Sequence, residues 1–318
     1  MSFSSEVKEE LTHLPETETH CVLAELAAIL RFGHGVHCLS DGSKAVRLTT
    51  ENISLAKRFY TLLRTVFSFQ PKVKTLQHDR QKKSHIYSIA VEKAADVLQL
   101  LRATGIMNNL GQMDEEDLLH NPVLQKTCCR RAFFRGAFLC AGSVTDPERN
   151  YHFEVASTDE HKAEQLKDFM EFFGLEAKIV IRKKYHVVYL KEGSMISDAL
   201  NIMGAHIAMM KFENVRIVKD VRNTVNRRVN CEAANINKTV SAARKQIEDI
   251  EYIRTTVGLE RLPENLQDVA FARLEEPEAA LKELGEMLHP PVGKSGVNHR
   301  LRKLSQIAQN LREGGSIS

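Results

Sequence analysis

The chain has 318 residues, 43% of them hydrophobic and 27% charged, with a formal net charge of +3. That length and apolar content exclude a disordered tail and favour two or three domains with substantial cores. So small a charge also excludes a protein that holds nucleic acid by overall charge, and any such footprint must come from local clustering. No stretch approaches the ~18 apolar residues of a membrane span. The opening Met1-Ser-Phe-Ser-Ser-Glu-Val-Lys8 has no apolar signal core, so a cytoplasmic protein with reduced thiols is expected.

The first predicted helix runs through Ala24-Glu-Leu-Ala-Ala28-Ile-Leu-Arg-Phe and ends at Gly33-His-Gly-Val36. The pattern returns as Ala132-Phe-Phe-Arg-Gly136-Ala-Phe-Leu-Cys-Ala141-Gly-Ser-Val144, at a constant offset of 108. Each copy has small residues at i and i+4, which let two helix backbones approach closely. Around the first copy, His20, Cys21, His34, His37 and Cys38 crowd together in sequence, but they straddle a helix and its turn without ligand spacing. Six cysteines, Cys21, Cys38, Cys128, Cys129, Cys140 and Cys231, contain no CxxC pair. Buried thiols and surface imidazoles are the better reading, and no metal site and no cofactor is expected.

The segments after the two helices repeat as well. Val46 to Asn52 alternates like a strand and leads into a helix with Ile53, Ala56, Phe59, Leu62 and Leu63 on one face. Phe153 to Asp159 leads likewise into a helix with Ala163, Leu166, Phe169 and Met170. Basic strand-like stretches then span Lys72 to Val91 and Glu176 to Leu190, and closing helices end near Gly105 and Gly204. The spacing predicts two αββαββα units, about 20–110 and 128–210, related by a pseudo-twofold axis through the paired helices.

The pattern Phe134-Arg-Gly136-Ala-Phe-Leu-Cys-Ala141-Gly142-Ser143 is similar to the LAGLIDADG motif of homing endonucleases. That resemblance implies paired motif helices, sheets that form a saddle on DNA, and a metal-binding acid at the end of each motif. Gly33 and Ala141 stand at the two acid positions and offer no side-chain oxygen to Mg²⁺, so no catalytic residue is assigned and nuclease chemistry is expected to be lost. Asp41 and Asp146 lie downstream, but a loop carboxylate would have to recreate the geometry of a helix end. The basic hairpins, with Lys72, Lys74, Arg80, Lys82 and Lys83 in one half and Lys178, Arg182, Lys183 and Lys184 in the other, occupy the region where LAGLIDADG sheets meet DNA. They read equally well as a weak electrostatic grip on the duplex or as part of an interaction platform.

Past residue 221 the composition turns basic. Arg222, Arg227 and Arg228 mark a hinge over 222–235, suited either to phosphate contact or to a solvated linker. A long helix with Ile236, Val240, Ala243, Ile247 and Ile250 on one face opens the last domain, 236–318. Leu266, Val269, Ala270, Arg273 and Leu274 predict a second helix. Pro277, at a first-turn position, starts a third with Leu281, Leu284 and Leu288, stopped by His289-Pro-Pro291. The final helix begins at Gly293-Lys-Ser295 with Ser295 as N-cap. Val297, Leu301, Leu304, Ala308 and Leu311 form its apolar stripe.

Ser295, Asn298, His299 and Arg302 line the opposite face, flanked by Arg300 and Lys303, as a helix-turn-helix recognition helix requires. Arg302 and Asn298 are the candidates for guanine and adenine contact, and Lys294, Arg300 and Lys303 for phosphates. An exposed basic helix closing a three-helix bundle is the alternative. The turn at His289 to Gly293 is longer than usual and looks more like region 4 of sigma factors than a phage repressor.

The combination resembles the WhiA family of bacterial transcription regulators over nearly the whole chain. It rests on Ser2-Phe-Ser-Ser-Glu-Val-Lys-Glu-Glu-Leu11, on Arg222-Asn-Thr-Val-Asn-Arg-Arg-Val-Asn-Cys-Glu-Ala-Ala-Asn-Ile-Asn-Lys-Thr239, and on Lys294-Ser-Gly-Val-Asn-His-Arg-Leu-Arg-Lys-Leu304. The resemblance implies an α+β fold, a tandem LAGLIDADG-like pair at 1–221 followed by an all-α helix-turn-helix domain. It also implies a non-enzymatic, nucleoid-associated regulator of sporulation or cell division that binds double-stranded DNA. Another transcription factor or an RNA polymerase sigma factor is the further partner to consider. A DNA-binding nucleoid-associated protein or an interaction protein acting outside transcription, and a residual metal-dependent endonuclease, remain the alternatives.

Overall fold

Ala24, Ala28, Ala132 and Gly136 decide the centre of the front unit, because nothing larger would let their two helices meet. α2 (Thr19–Phe32) and α5 (Thr127–Ala141) pack so closely that a Cβ on Gly136 would lie 2.7 Å from the Glu25 carbonyl oxygen and 2.8 Å from the Ala28 Cβ. The computed structural model describes residues 2–15, 18–39, 42–79, 84–108, 110–113 and 118–315. Contacts divide the chain into two units, Met1–Lys219 and Asp220–Ser318.

Each motif helix is followed by the same elements. The first copy continues as β1 (Val36–Cys38), β2 (Lys44–Thr50), α3 (Ile53–Phe67), β3 (Lys72–Asp79), β4 (Ser84–Val91) and α4 (Ala94–Ala103). The second continues as β5 (Gly142–Val144), β6 (Phe153–Ser157), α6 (Glu160–Glu171), β7 (Lys178–Arg182), β8 (Tyr185–Leu190) and α7 (Gly193–Met203). Both sheets are antiparallel and four-stranded, ordered β1-β2-β4-β3 and β5-β6-β8-β7. The fold is therefore α+β, with two LAGLIDADG-like halves. Caps sit where the sequence changes period: Asn52 accepts from the amides of Ser54 and Leu55 at the start of α3, and Asp159 from that of Lys162 in α6.

Alternation sorts the strands. Val46 and Leu48 of β2, and Phe153 and Val155 of β6, are buried under the helices, which leaves their neighbours on the opposite face of each sheet. Ahead of the predicted repeats, α1 (Phe3–His13) buries Phe3, Val7 and Leu11, spaced four apart on one face.

A buried charged triad ties the front unit together. The fully buried carboxylate of Glu25 on α2 accepts two hydrogen bonds from Arg58 of α3, at 2.8 and 2.9 Å, and one from Arg135 of α5, at 3.0 Å. Arg58 also donates to the Leu14 carbonyl and Arg135 to that of Met203, so every charge has a fixed geometry.

The boundary between units falls inside α8 (His206–Thr256), a 51-residue helix. Residues 222–235, whose composition predicts a hinge, are helical, and Ile236 and Val240, expected on a packing face, are 62% and 60% exposed. Apolar spacing alone does not say where along a long helix a core begins. Here burial starts near Ala243 and is complete at Ile250 and Ile253.

The second unit adds α9 (Glu264–Glu275), α10 (Leu281–Met287) and α11 (Lys294–Arg312) around a core of Leu266, Val269, Leu284, Val297, Leu301 and Leu304. Pro277 lies in a turn ahead of α10 rather than in its first turn. α10 begins instead after Ala280, whose amide donates to Glu283 Oε2 at 2.7 Å. On α11 the buried stripe includes Ile307, while Leu311 is only partly buried.

Candidate nucleic-acid interface

α11 is two-sided. Val297, Leu301, Leu304, Ile307 and Ala308 face the core, whereas Lys294, Ser295, His299, Arg302 and Lys303 are exposed and Asn298 is half-buried between them. Positions 295, 298, 299 and 302 recur at helical spacing, so their side chains share one strip. The N-cap is Gly293, whose carbonyl accepts from the amides of Gly296 and Val297, and Ser295 lies inside the first turn. That placement frees its hydroxyl from capping and leaves it on the exposed strip. Arg300 is set apart: its guanidinium donates to the Asn265 carbonyl on α9 at 3.3 Å, which draws it toward the neighbouring helix.

Two devices fix α11. The turn from α10 closes through the Val292 amide donating to the Gly285 carbonyl at 2.9 Å, and a Cβ on Gly285 would run into the Val292 carbonyl oxygen. At the far end Arg312 donates to Asp249 Oδ1 at 2.8 Å and lies over the Tyr252 ring, anchoring α11 to the buried part of α8. The strip is thus held by helices at both ends rather than carried on a loop.

The basic residues of the front unit are less uniformly available. Register places Arg47, Ala90 and Lys72 in one row of the first sheet and Thr49, Ser88 and Lys74 in the next, all opposite the buried Val46 and Leu48. The matching row of the second sheet reads Glu154, Tyr189 and Lys178, so an acid stands where the first copy has Arg47. Glu154 accepts from Arg182 at 2.9 Å, and Lys183 and Lys184 form the β7–β8 turn, Lys183 with φ of 55°. Arg80, Lys82 and Lys83 lie outside the described residues. On α8, Arg222, Arg227 and Arg228 are exposed, and Arg228 pairs with Glu232 at 3.0 Å.

At the ends of the motif helices, Gly33 caps α2 and Ala141 closes α5. Asp146 is occupied within its own turn, accepting from the Glu148 amide at 2.9 Å, and Asp41 lies outside the described residues. Among the described residues no three carboxylate, imidazole or thiol groups gather at Asp146 or at these helix ends. The histidines and cysteines near the first motif divide: His34, His37 and Cys38 line a shallow cleft below α2's C-terminus, while His20 and Cys21 sit at its N-terminus beside Cys128 and Cys129.

Three family models match along the chain. The WhiA N-terminal LAGLIDADG-like domain covers residues 19–107, the WhiA LAGLIDADG-like domain 130–222, and the WhiA C-terminal HTH domain 225–308. A protein of Lachnoclostridium phytofermentans named probable cell division protein WhiA is 50% identical over 316 residues, covering 98% of this chain and all of that one. A protein of the same name from Alkaliphilus metalliredigens is 43% identical over the whole of both chains. The crystal structure of full-length WhiA from Thermatoga maritima superposes with a TM-score of 0.58 at 24% identity, covering 98% of this chain and 99% of that one, and shows the same fold. No helix of the described residues is long and apolar enough to cross a membrane. With two LAGLIDADG-like halves, a C-terminal helix-turn-helix region and relatives alike from end to end, the chain belongs to the WhiA family.

Proposed function

We propose that the chain is a sequence-specific, non-cleaving DNA-binding regulator of transcription. Its readout is led by the exposed strip of α11. The observation that carries this reading is the pairing of amide and guanidinium groups at Asn298 and Arg302 with exposed cations at Lys294 and Lys303, on a helix fixed at both ends. Arg302 reads guanine and Asn298 adenine, Ser295 and His299 offer further polar contacts, and Lys294, Arg300 and Lys303 hold phosphates.

The 1–221 pair, and the arginines of 222–235, add electrostatic contacts that are largely independent of sequence. Among them Lys183, Lys184, Arg222 and Arg227 have no ion-pair partner among the described residues, whereas Arg182 and Arg228 are already shared with acids. Strand cleavage is absent because Gly33 and Ala141 supply no oxygen ligand for a two-metal site. The relatives' shared name supports a role in cell division, and the family resemblance adds sporulation, inside the cytoplasm and with another transcription factor or a sigma factor as partner.

The test is retention of duplex DNA by the full chain at low salt. Reversing Lys294, Arg302 and Lys303 to Glu weakens it sharply, leaving only the contacts of the front unit and the 222–235 arginines, and supercoiled plasmid stays intact with Mg²⁺ or Mn²⁺. Undiminished retention by the reversed variant, or metal-dependent nicking, overturns the proposal.

A further inference from the structure

The N-termini of the two motif helices bring together residues that lie far apart in the chain. His20 and Cys21 are the second and third residues of α2, and Cys128 and Cys129 are the second and third of α5. One ligand-type atom from each of the four lies within 4.8 Å of all the others. His20 Nδ1 stands 3.3 Å from Cys21 Sγ, 3.3 Å from Cys129 Sγ and 4.0 Å from Cys128 Sγ. Sulfur and nitrogen ligands at the corners of a zinc tetrahedron stand roughly 3.5–3.8 Å apart, given Zn–S of about 2.3 Å and Zn–N of about 2.0 Å. The side chains are therefore gathered at the right scale before any ion arrives.

We infer that His20, Cys21, Cys128 and Cys129 form a structural zinc site that staples the two LAGLIDADG-like halves at the N-terminal end of their paired helices.

Three further observations support it. The set obeys the internal repeat: His20 and Cys128, and Cys21 and Cys129, are each 108 residues apart, the offset that relates the two motif helices. Residues equivalent under a pseudo-twofold axis meet on that axis, so an ion there takes the same two positions from each copy. Charge also fits. Neither helix has an acidic residue in its first turn, and neither N-cap, Glu18 or Lys126, makes a side-chain capping bond. Three thiolates around Zn²⁺ leave one net negative charge where the positive ends of two helices converge. Finally, His20 presents Nδ1 to the sulfurs while its Nε2 faces Glu18 Oε2 across 3.7 Å, longer than a hydrogen bond but on the side from which a carboxylate orients a ligating imidazole.

The site lies at the opposite end of the helix pair from Gly33 and Ala141, so it is separate from the positions where the nuclease metals of LAGLIDADG enzymes bind. All four positions carry ligands and none is left for a substrate, which makes the role structural. The sequence points the other way only because His20 and Cys21 stand close along the chain to His34, His37 and Cys38, which the fold carries to the other end of α2.

The full chain, purified under reducing conditions and desalted, is expected to carry one zinc by elemental analysis and, after exchange into Co²⁺, to show thiolate-to-cobalt charge-transfer absorption. Cys128→Ser and Cys129→Ser lose the metal, and Cys38→Ser and Cys231→Ser keep it. Chelation lowers the thermal transition of the wild-type chain and leaves Cys129→Ser unmoved. A wild-type metal content no higher than that of Cys129→Ser, with no charge-transfer band, overturns the inference. So does a Cys21–Cys128 or Cys21–Cys129 disulfide recovered from the reducing preparation. Should a serine variant fail to fold, the cobalt spectrum of the unaltered chain decides alone.

Discussion

Arg302→Ala and Lys303→Ala separate base reading from phosphate contact on neighbouring residues of one helix. Arg302 is exposed one turn beyond Asn298 on the strip opposite Val297, Leu301 and Leu304, and Lys303 lies at its flank. A guanidinium bidentate to guanine contributes about 1–3 kcal/mol of discrimination, which is roughly 5- to 160-fold in affinity at one base pair. Loss of one phosphate contact instead lowers the slope of log K against log salt by about 0.9, so the ratio of wild-type to variant affinity shrinks about 3.5-fold between roughly 50 and 200 mM salt. The assay is fluorescence anisotropy on the preferred duplex and on single-pair variants of it, at both salt concentrations. Arg302→Ala is expected to flatten preference at one base pair, and Lys303→Ala to weaken every duplex alike with the shallower salt slope. If Arg302→Ala weakens all duplexes equally and no base preference changes, the assignment of Arg302 to a base edge is wrong.

Other expectations rest on particular contacts. Glu25→Ala leaves two nearly buried guanidinium groups, Arg58 and Arg135, without their carboxylate. Stability of the front unit should fall by about 3–5 kcal/mol, and a urea titration showing less than about 1 kcal/mol would refute the triad's role. Gly285→Ala forces a methyl into the Val292 carbonyl and should displace α11, weakening DNA binding and removing its sequence preference while circular dichroism keeps the helical and sheet content of the rest. Burial pushes the Cys140 thiol up to about 12 from an ordinary 9.0. The folded state therefore keeps that proton while the unfolded chain loses it. Stability from this group is full below pH 9.0 and declines as pH rises toward 12. Alkylation of the native chain at about pH 8.5, near the ordinary thiol range, should mark the exposed Cys38 and Cys231, and Cys128 where no metal holds it, well before the half-buried Cys140.

Much of the front unit was legible because its signals are local and doubled. Ala24, Ala28, Ala132 and Gly136 announce a close helix pair through size alone, and the constant offset carries the αββαββα order from one copy to the other. The C-terminal strip was legible for a similar reason: a two-sided helix sorts its own residues. What failed to show depends on tertiary context. Basic, asparagine-rich residues 222–235 have the composition of a linker, yet helical neighbours on both sides carry the helix through them. Pro277 suits a helix's first turn, but Ala280 and Glu283 offer a better-capped start. Ser295 is a strong capping residue in isolation, and Gly293 takes the position because the chain arrives there extended, at φ −66° and ψ 156°. The gathering of His20 and Cys21 with Cys128 and Cys129 was hidden by distance along the chain, although the same offset of 108 that pairs the helices also pairs these residues.

The most direct test is selection and sequencing of random duplex DNA bound by the full chain, run beside the Asn298→Ala, Arg302→Ala double variant. The wild-type chain should enrich one motif, and the variant should bind with a similar dependence on salt but enrich none. Enrichment of the same motif by the variant would mean that readout lies elsewhere, and that α11 is a basic helix closing a bundle.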